Sequence, residues 1–591
     1  MSHSATEHSL VHVPAHLRQF VVEQDYDRYT PIDHAVWRYV MRQNSQFLGE
    51  RAHSAYLEGL RTSGIGIERI PNIAEMNECL SQIGWGAVTI DGFIPAVAFF
   101  DFQAHGILPI ACDIRQYDHI AYTPAPDIIH EAAGHAPIIK DEKYRTYLKV
   151  FGDIGSRALS TRQDYELYEA IRLLSIVKED PEATAEQIRE AEEDLERKVK
   201  AVTVVSEATK LSRLYWWTVE YGLIGDVNDP QIYGAGLLSS VGESMSCLRD
   251  DVKKIPFSLE ACVETDFDIT KPQPQLFVCK NFDELIDAVQ QFAKTMGQSV
   301  GGTKSLQAAK DMGQISTSVY SSGLQVSGTL SRLILDEEGE AVYLNTSGPS
   351  ALAINNQELP HHGKAAHEHG FGSPIGKLDG VDKPLEAFTD DELRANGIMI
   401  GQQATLTFAS GIIVRGNTSY LMRHPESGAI VLIGFDACTV TLGEDILFSA
   451  EWGTYDMAVG EQIVSVFAGA ADRATFVMGT HQPSAVQTKR PSYTSEQLQM
   501  QRLFQQVRSI RESNSWSQDS VAALEQIYAE LQKSFPQDWL LRLELLELLH
   551  SRQANTQLKI QLHEQLLQLA RKQPDHTQLI HNGIGLVFET K

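Results

Sequence analysis

The chain has 591 residues, with 77 acidic against 50 basic side chains and a formal charge of −27 at neutral pH. That length predicts more than one domain, and an acid excess of this size excludes a nonspecific grip on nucleic acid or on an acidic membrane surface, both of which need Lys and Arg. Six cysteines (Cys79, Cys112, Cys247, Cys262, Cys279, Cys438) are scattered without a C-x-x-C pair. No apolar run approaches the eighteen or so residues of a membrane span, and the first residues lack a basic stretch followed by an apolar core. Free thiols in a cytoplasmic protein, with neither membrane nor nucleic acid as partner, are the expectation.

From His16 to about Arg51 the sequence reads helical, started at Thr30-Pro31-Ile32-Asp33 and striped by Val36, Tyr39 and Val40. A second helix carries Ala55, Leu57 and Leu60 and ends near Gly64; a third runs from Ile73 to Ile83. Gly86–Ile90 and Ile107–Cys112 read as short buried strands between turn residues. Pro124 and Pro126 then hold the chain extended, and Asp127 is placed to cap a helix that begins just before His130.

His130 and His135 lie five residues apart, with Glu131 beside the first, a metal-ligand pattern at a helix start. A zinc peptidase uses H-E-x-x-H, whose histidines are four apart on one helical face. Five residues on an α-helix turn through roughly 140°. Gly134 and Pro137 must therefore let the helix end or bend before both rings can converge. A third ligand is suggested by Glu220 in the aromatic run Tyr215–Gly222, where a carboxylate needs a partner. Two imidazoles and one carboxylate form the facial triad of non-haem Fe(II) oxygenases, which leaves positions open for oxygen and water.

Three stretches carry a resemblance: P-D-I-I-H-E-A-A-G-H-A-P (Pro126 to Pro137), Y-W-W-T-V-E-Y-G (Tyr215 to Gly222) and Y-G-A-G-L-L-S-S-V-G-E (Tyr233 to Glu243). Together they resemble the pterin-dependent aromatic amino acid hydroxylases, over about Arg18 to Phe292. The resemblance implies a mainly α (α+β) catalytic domain that holds Fe(II) by His130, His135 and Glu220. It implies a tetrahydropterin (tetrahydrobiopterin or a relative) stacked on Phe99, with backbone contacts from Gly92 to Ile94 and a hydrogen bond from Glu131. It also implies a substrate carboxylate held by Arg115, with Thr123 and Ser239 adding hydroxyls, Glu243 orienting groups nearby, and Pro126 and Trp216 holding the ring. The planar guanidinium fork suits a carboxylate, and an aromatic face suits a flat heterocycle.

Trp216 is similar to the residue shared by the phenylalanine and tyrosine branches, and Ile269 falls where the tyrosine branch has an acid. Ile269 offers no partner to a phenolic hydroxyl, whose unpaired burial costs about 1–3 kcal/mol. The implied activity is hydroxylation of L-phenylalanine to L-tyrosine with dioxygen and reduced pterin. A tyrosine or tryptophan hydroxylase is the alternative within the family. Outside it stand a zinc metallopeptidase, with Glu131 as base, and a binding protein built on an inactive hydroxylase.

His135 and Glu220 are 85 residues apart, further than the family's spacing, and the excess (163–210) reads as a helical hairpin around Asp180-Pro181 with a charged, solvated face. Gly301-Gly302-Thr303 reads as a linker. From Ser318 to about Met478 alternating segments such as Leu324–Leu330 and Ala341–Leu344, turned at Glu337–Gly339, predict an antiparallel all-β domain, a sandwich or barrel. Within it His361, His362, His367 and His369 cluster near glycines. A second metal site is the alternative there, but no carboxylate or cysteine lies at a diagnostic spacing, so a polar surface loop is expected. From Ser492 apolar stripes (Leu503, Phe504, Val507; Leu524, Tyr528, Leu531; Leu540–Leu549; Leu558–Leu569) predict an α-helical C-terminal domain, suited to docking or self-association. The expected division is 1–300, catalytic, with the 163–210 insertion; 301–485, β-rich; and 486–591, helical.

Overall fold

The structure, a computed structural model, describes residues 12–90, 92, 94–121, 127–179, 183–269, 271–476, 493–513 and 515–589. Helix α1 (Pro31–Leu48) begins in a reciprocal cap: Thr30 Oγ1 accepts from the Asp33 amide and Asp33 Oδ2 accepts from the Thr30 amide. The expected long helix from His16 is thus shorter, preceded by 3₁₀ turns at Ala15–Phe20 and Tyr26–Arg28. Strands β1 (Gly86–Ile90) and β2 (Ile107–Ala111) run parallel, and the crossover between them is helix α2 (Ala96–Ala104). Phe99 therefore rides on a helix rather than on a loop. Further along the chain, the short helix α3 (Ala235–Ser239) lies against the segment that carries His130 and is tied to α1 by Asn44 Nδ2, which donates to the Leu238 carbonyl at 2.9 Å.

The insertion is a helical hairpin, as expected. Arg162–Glu179 and Ala185–Ala201 lie side by side, joined by the ion pairs Lys198–Glu166 at 2.8 Å and Lys178–Glu192 at 2.9 Å. Its turn at Asp180-Pro181 lies outside the described residues.

The glycine pair at 301–302 is no slack linker. Gly301 (φ +55°) and Gly302 (φ +70°) separate two helices, Gly297–Val300 and α4 (Gly302–Met312), and a Cβ on Gly301 would stand 2.4 Å from the Val464 carbonyl carbon. The break is a close crossing that only glycine allows. Beyond it come two antiparallel sheets. In one, β3 (Gln325–Leu335) pairs with β4 (Ala341–Ile354) through a turn in which Asp336 Oδ1 accepts from the amides of Glu338 and Glu340. In the other, β5 (Ile412–Arg423) pairs with β6 (Ile430–Leu442), which also pairs with β7 (Tyr455–Ala458). Leu344 and Leu352 of β4, Leu432 of β6 and Leu306 of α4 share one apolar cluster, so the sheets and the helix bury a common face.

The C-terminal helices (Ser495–Glu512, Gln518–Ser534, Leu540–Ser551, Thr556–Lys572, Thr577–Glu589) turn their leucines inward, onto α1 as well as onto each other. Arg38 and Glu544, 1% and 3% exposed, form a bidentate pair at 2.8 and 2.9 Å. Tyr39 Oη donates to the Leu579 carbonyl at 2.6 Å, and Trp539 packs edge-on against Tyr39. The docking expected of these helices is thus made within the chain itself. Burial pushes the Glu544 carboxyl up, but the Arg38 and Arg511 guanidiniums outweigh it and hold it below the usual carboxylate range. A depressed carboxyl stabilises the fold above its unfolded value, and that stability fades as pH falls through about 4.3 and below. Glu544→Ala, which strands Arg38 in the interior, is expected to cost about 3–5 kcal/mol. A lower urea midpoint at pH 7, converging on wild type as the pH drops toward 3, is the expected signature.

Candidate metal and substrate site

The five-residue interval is resolved by a change of helix type. Ile129–His135 is a π-helical turn, and so is Trp216–Glu220, where the Tyr221 amide donates to the Trp216 carbonyl at 2.9 Å. An i→i+5 ladder stacks residues five apart, and such turns recur at functional sites. The rings of His130 and His135 therefore meet, with centroids 5.0 Å apart and planes at 90°. Asp127 starts the turn as expected of a cap, its Oδ1 accepting from the His130 amide at 3.0 Å. Gly134 permits it, because a Cβ there would stand 2.6 Å from the Ala235 carbonyl oxygen. In the second turn Thr218 Oγ1 donates to the Leu214 carbonyl and accepts from the Tyr147 hydroxyl, while Trp217 Nε1 anchors on the Thr265 carbonyl.

These turns bring the three candidate ligands together. Glu220 Oε2 lies 3.2 Å from His130 Nε2, and Glu220 Oε1 lies 3.3 Å from His135 Nε2. Donor atoms on neighbouring vertices of an ion with bonds of ~2.0–2.2 Å stand roughly 3 Å apart, so the spacing fits. Glu131 is a second carboxylate in reach: its Oε2 is 3.8 Å from His135 Nε2, and His130, Glu131 and His135 offer ligand atoms that all lie within 4.8 Å of one another. Glu220 is the better third ligand because it reaches both imidazoles. Burial would lower the His130 imidazole, but the Glu220 carboxylate raises it to about 9; against burial, His135 and His130 hold Glu220 well below the carboxylate range. Burial pushes Glu131 up. Both ring nitrogens of His135 and Oε2 of Glu131 are buried without a hydrogen-bond partner, a state that costs about 1–3 kcal/mol per group. An ion at this convergence would satisfy His135 Nε2, so the residues fit a metal.

Ser239 was expected at the substrate; in the structure its hydroxyl lies against His130, a candidate metal ligand. Ser239 Oγ donates to the Ala235 carbonyl at 2.8 Å and lies 3.1 Å from His130 Nδ1, so the proton of that contact belongs to the imidazole. His130 Nε2, which faces Glu220, is thereby the ring nitrogen that would hold an ion. Arg115 also departs from expectation. Its fork is already closed on Asp127, Nε to Oδ2 at 2.8 Å and Nη2 to Oδ1 at 2.9 Å, and Arg115 holds Asp127 below its usual range against the pull of burial. The second N–H of Nη2 and the Nη1 group, the latter 3.5 Å from the carbonyls of Ile120 and Ser239, remain for a substrate.

Phe99 is part-buried, 6.3 Å from the His135 ring and edge-on to Tyr215 at 5.9 Å, while Phe100 is buried in the core against Phe151. Gly92 is exposed at φ +62°, and Ile94 is buried beside Ala98 and Phe102. Trp216 is stacked between Phe267, 4.3 Å away at 11°, and Tyr221, 4.5 Å away at 29°. Sequence reasoning missed this sandwich, although an aromatic residue at each of 216, 221 and 267 was its signal. Glu243 accepts from the Tyr221 hydroxyl at 3.2 Å and from the Gln273 amide at 2.7 Å, and Gln273 Nε2 clamps the carbonyls of Asp268 and Lys271. Ile269 sits in that clamped segment, 36% exposed. Thr123 and Pro126 lie outside the described residues.

Two imidazoles and a carboxylate on π-turns, with the rings of Phe99 and Tyr215 beside them, form a candidate cradle for one metal ion. Residues 23–166 and 201–308 match the family described as biopterin-dependent aromatic amino acid hydroxylase. The unmatched 167–200 falls inside the helical hairpin. The chain is similar to phenylalanine-4-hydroxylase of Mesorhizobium japonicum, 28% identical over 274 residues, which are 46% of this chain and 83% of that protein. To phenylalanine-4-hydroxylase of Chromobacterium violaceum it is 29% identical over 271 residues, 46% of this chain and 76% of that one. The solved Chromobacterium violaceum phenylalanine hydroxylase with bound oxidized Fe(III) aligns at 28% identity over 47% of this chain and 87% of that chain, with a TM-score of 0.37.

Ser239→Ala is expected to weaken divalent-metal binding about 10–100-fold, the usual cost of losing a group that orients a metal-bound imidazole. Gly134→Ala should weaken it further by displacing α3. Co(II) titration of the chelator-stripped protein, followed by visible absorption, measures both.

Proposed function

We propose that the chain is a monooxygenase that depends on Fe(II) and tetrahydropterin and hydroxylates L-phenylalanine to L-tyrosine with dioxygen. The observation that carries this reading is Glu220 reaching both His130 and His135, which leaves the opposite side of an ion open. Bound together, ferrous iron and reduced pterin would supply the oxygen chemistry, and the protein would position and dry the reactants. Phe99, part-exposed beside His135, would stack the pterin; Gly92 and Ile94 would contribute backbone contacts from the preceding turn, and Glu131 a hydrogen bond. Trp216, fixed by Phe267 and Tyr221, would face the substrate ring. Arg115 would take the substrate carboxylate through the N–H groups of Nη1 and Nη2 that Asp127 leaves free, and Asp127 would keep that guanidinium charged and in place. Thr123 and Pro126 belong to the same reading.

Phenylalanine is preferred to tyrosine because apolar Ile269 occupies the position discussed above, and Glu243 acts through the clamp at Gln273 that fixes the segment carrying it. The similarity to phenylalanine-4-hydroxylases favours the same substrate. A zinc peptidase is disfavoured because the five-residue interval departs from H-E-x-x-H and because the chain is similar to phenylalanine-4-hydroxylases. The reading includes the division at 300 and 485, with the first and last parts sharing a core. It also includes a cytoplasmic location, supported by six free cysteines and by the fact that no described helix is long and apolar enough to cross a membrane.

Anaerobic Fe(II) loading, then a panel of phenylalanine, tyrosine and tryptophan with tetrahydropterin and oxygen, tests the reading. Tyrosine formation coupled to pterin oxidation is expected with phenylalanine, and His135→Ala and Glu220→Ala should each lose iron and turnover together. Iron and activity retained in either variant would refute the ligand set; turnover of tryptophan alone would refute the substrate.

A further inference from the structure

The histidine cluster of the β-region holds a second convergence of ligands. Of its four histidines, His361 and His369 are exposed, whereas His362 and His367 are 8% and 9% exposed. Both buried residues are stitched along β4: the Leu352 amide donates to the His362 carbonyl at 2.9 Å and the Ser350 amide to the His367 carbonyl at 3.0 Å. Residues two apart on a strand point to one side. The two rings accordingly lie nearly parallel, 5.8 Å apart at 17°.

Between them comes a carboxylate that no local spacing announced. Asp456 Oδ2 lies 3.5 Å from His362 Nδ1 and 3.7 Å from His367 Nε2. Neither nitrogen has a hydrogen-bond partner, though both are buried. The three donor atoms fall within 4.8 Å of one another. Ligands of a tetrahedral ion with bonds of ~2.0–2.1 Å stand roughly 3.3 Å apart, so a small inward movement completes the shell.

The surroundings are built to hold that carboxylate. Tyr420, Gly434 and Asp456 stand in one row across three neighbouring strands, β5, β6 and β7. A Cβ on Gly434 would stand 2.0 Å from the Tyr420 ring, so only glycine lets the ring lie across the middle strand. The phenol thereby donates to Asp456 Oδ1 at 2.5 Å, which leaves Oδ2 to face the imidazoles. Phe371, edge-on to His367 at 5.4 Å, closes one wall. A ligand carboxylate steered by a second hydrogen bond, with apolar walls around it, is the usual construction around a bound metal.

We infer that His362, His367 and Asp456 bind one divalent transition-metal ion, zinc being the best match to two imidazoles and a carboxylate, with a water in the fourth position. This site is separate from the one at His130, and its test does not need that one to work. The full-length chain is stripped with chelator and titrated anaerobically with Zn(II) or Co(II) alone, in a His130→Ala/His135→Ala background. One equivalent is expected to bind, with the intense visible bands of four-coordinate cobalt. Adding His362→Ala and His367→Ala should abolish that equivalent, Asp456→Asn should weaken it at least 10-fold, and Tyr420→Phe should weaken it about 10–100-fold. His361→Ala/His369→Ala should leave it unchanged. Near-ultraviolet circular dichroism of the Asp456→Asn and Tyr420→Phe chains checks that they are folded. No binding at micromolar metal in the starting background, one equivalent retained without His362 and His367, or loss on removal of only the exposed pair would each overturn the assignment.

Discussion

Glu220 is a carboxylate withdrawn from water among Tyr215, Trp217 and Val219, and two imidazoles facing it make that position tenable. Everything else at the site arranges for those three side chains to meet. An α-helix would have turned His130 and His135 away from each other, and the π-turn cancels the rotation. A π-turn leaves local hydrogen bonds to be repaired, and the sequence repairs them: Asp127 takes the His130 amide, and Thr218 takes the Leu214 carbonyl. Close packing replaces what the irregular ladder loses, through Gly134 against Ala235 and through Gly234, whose Cβ would stand 2.5 Å from the Glu220 carbonyl oxygen. The glycines of the two motifs serve backbone approach rather than flexibility.

The same device appears in the β-region at a different scale. Gly434 is the empty place over which Tyr420 reaches Asp456, as Gly134 is the empty place into which Ala235 fits. In both cases a missing side chain allows a polar group to act on a neighbour it could not otherwise touch. Both clusters also leave buried imidazole nitrogens without hydrogen bonds, a rare condition in folded proteins that points to something other than protein as the partner.

The C-terminal helices change how the first part of the chain is held. Arg38 and Tyr39 of α1 reach Glu544 and the Leu579 carbonyl, and α1 in turn holds α3 through Asn44. Since α3 carries Ser239, which orients His130, an unbroken run of contacts joins the last helices to a metal ligand. The hairpin at 162–201 stands apart from this run, joined internally by exposed ion pairs that contribute little stability.

Much could be read from residue types at short range. Thr30 and Asp33 marked a helix start, the strands around 86 and 107 followed from apolar runs bounded by turns, and the hairpin at 336–340 followed from alternation. The three candidate ligands could be picked out because histidine and glutamate in such surroundings have few other uses. Sequence could not show that the helix at His130 changes its hydrogen-bond ladder, that Ser239 serves the imidazole, or that Arg115 has already closed its fork on Asp127. Nor could it bring Asp456 to His367 across 89 residues. Local spacing is set by the chain's own covalent geometry and is therefore written in the sequence. Convergence between distant segments is set by strand register and by how closely two backbones approach, and those are properties of the packed fold alone.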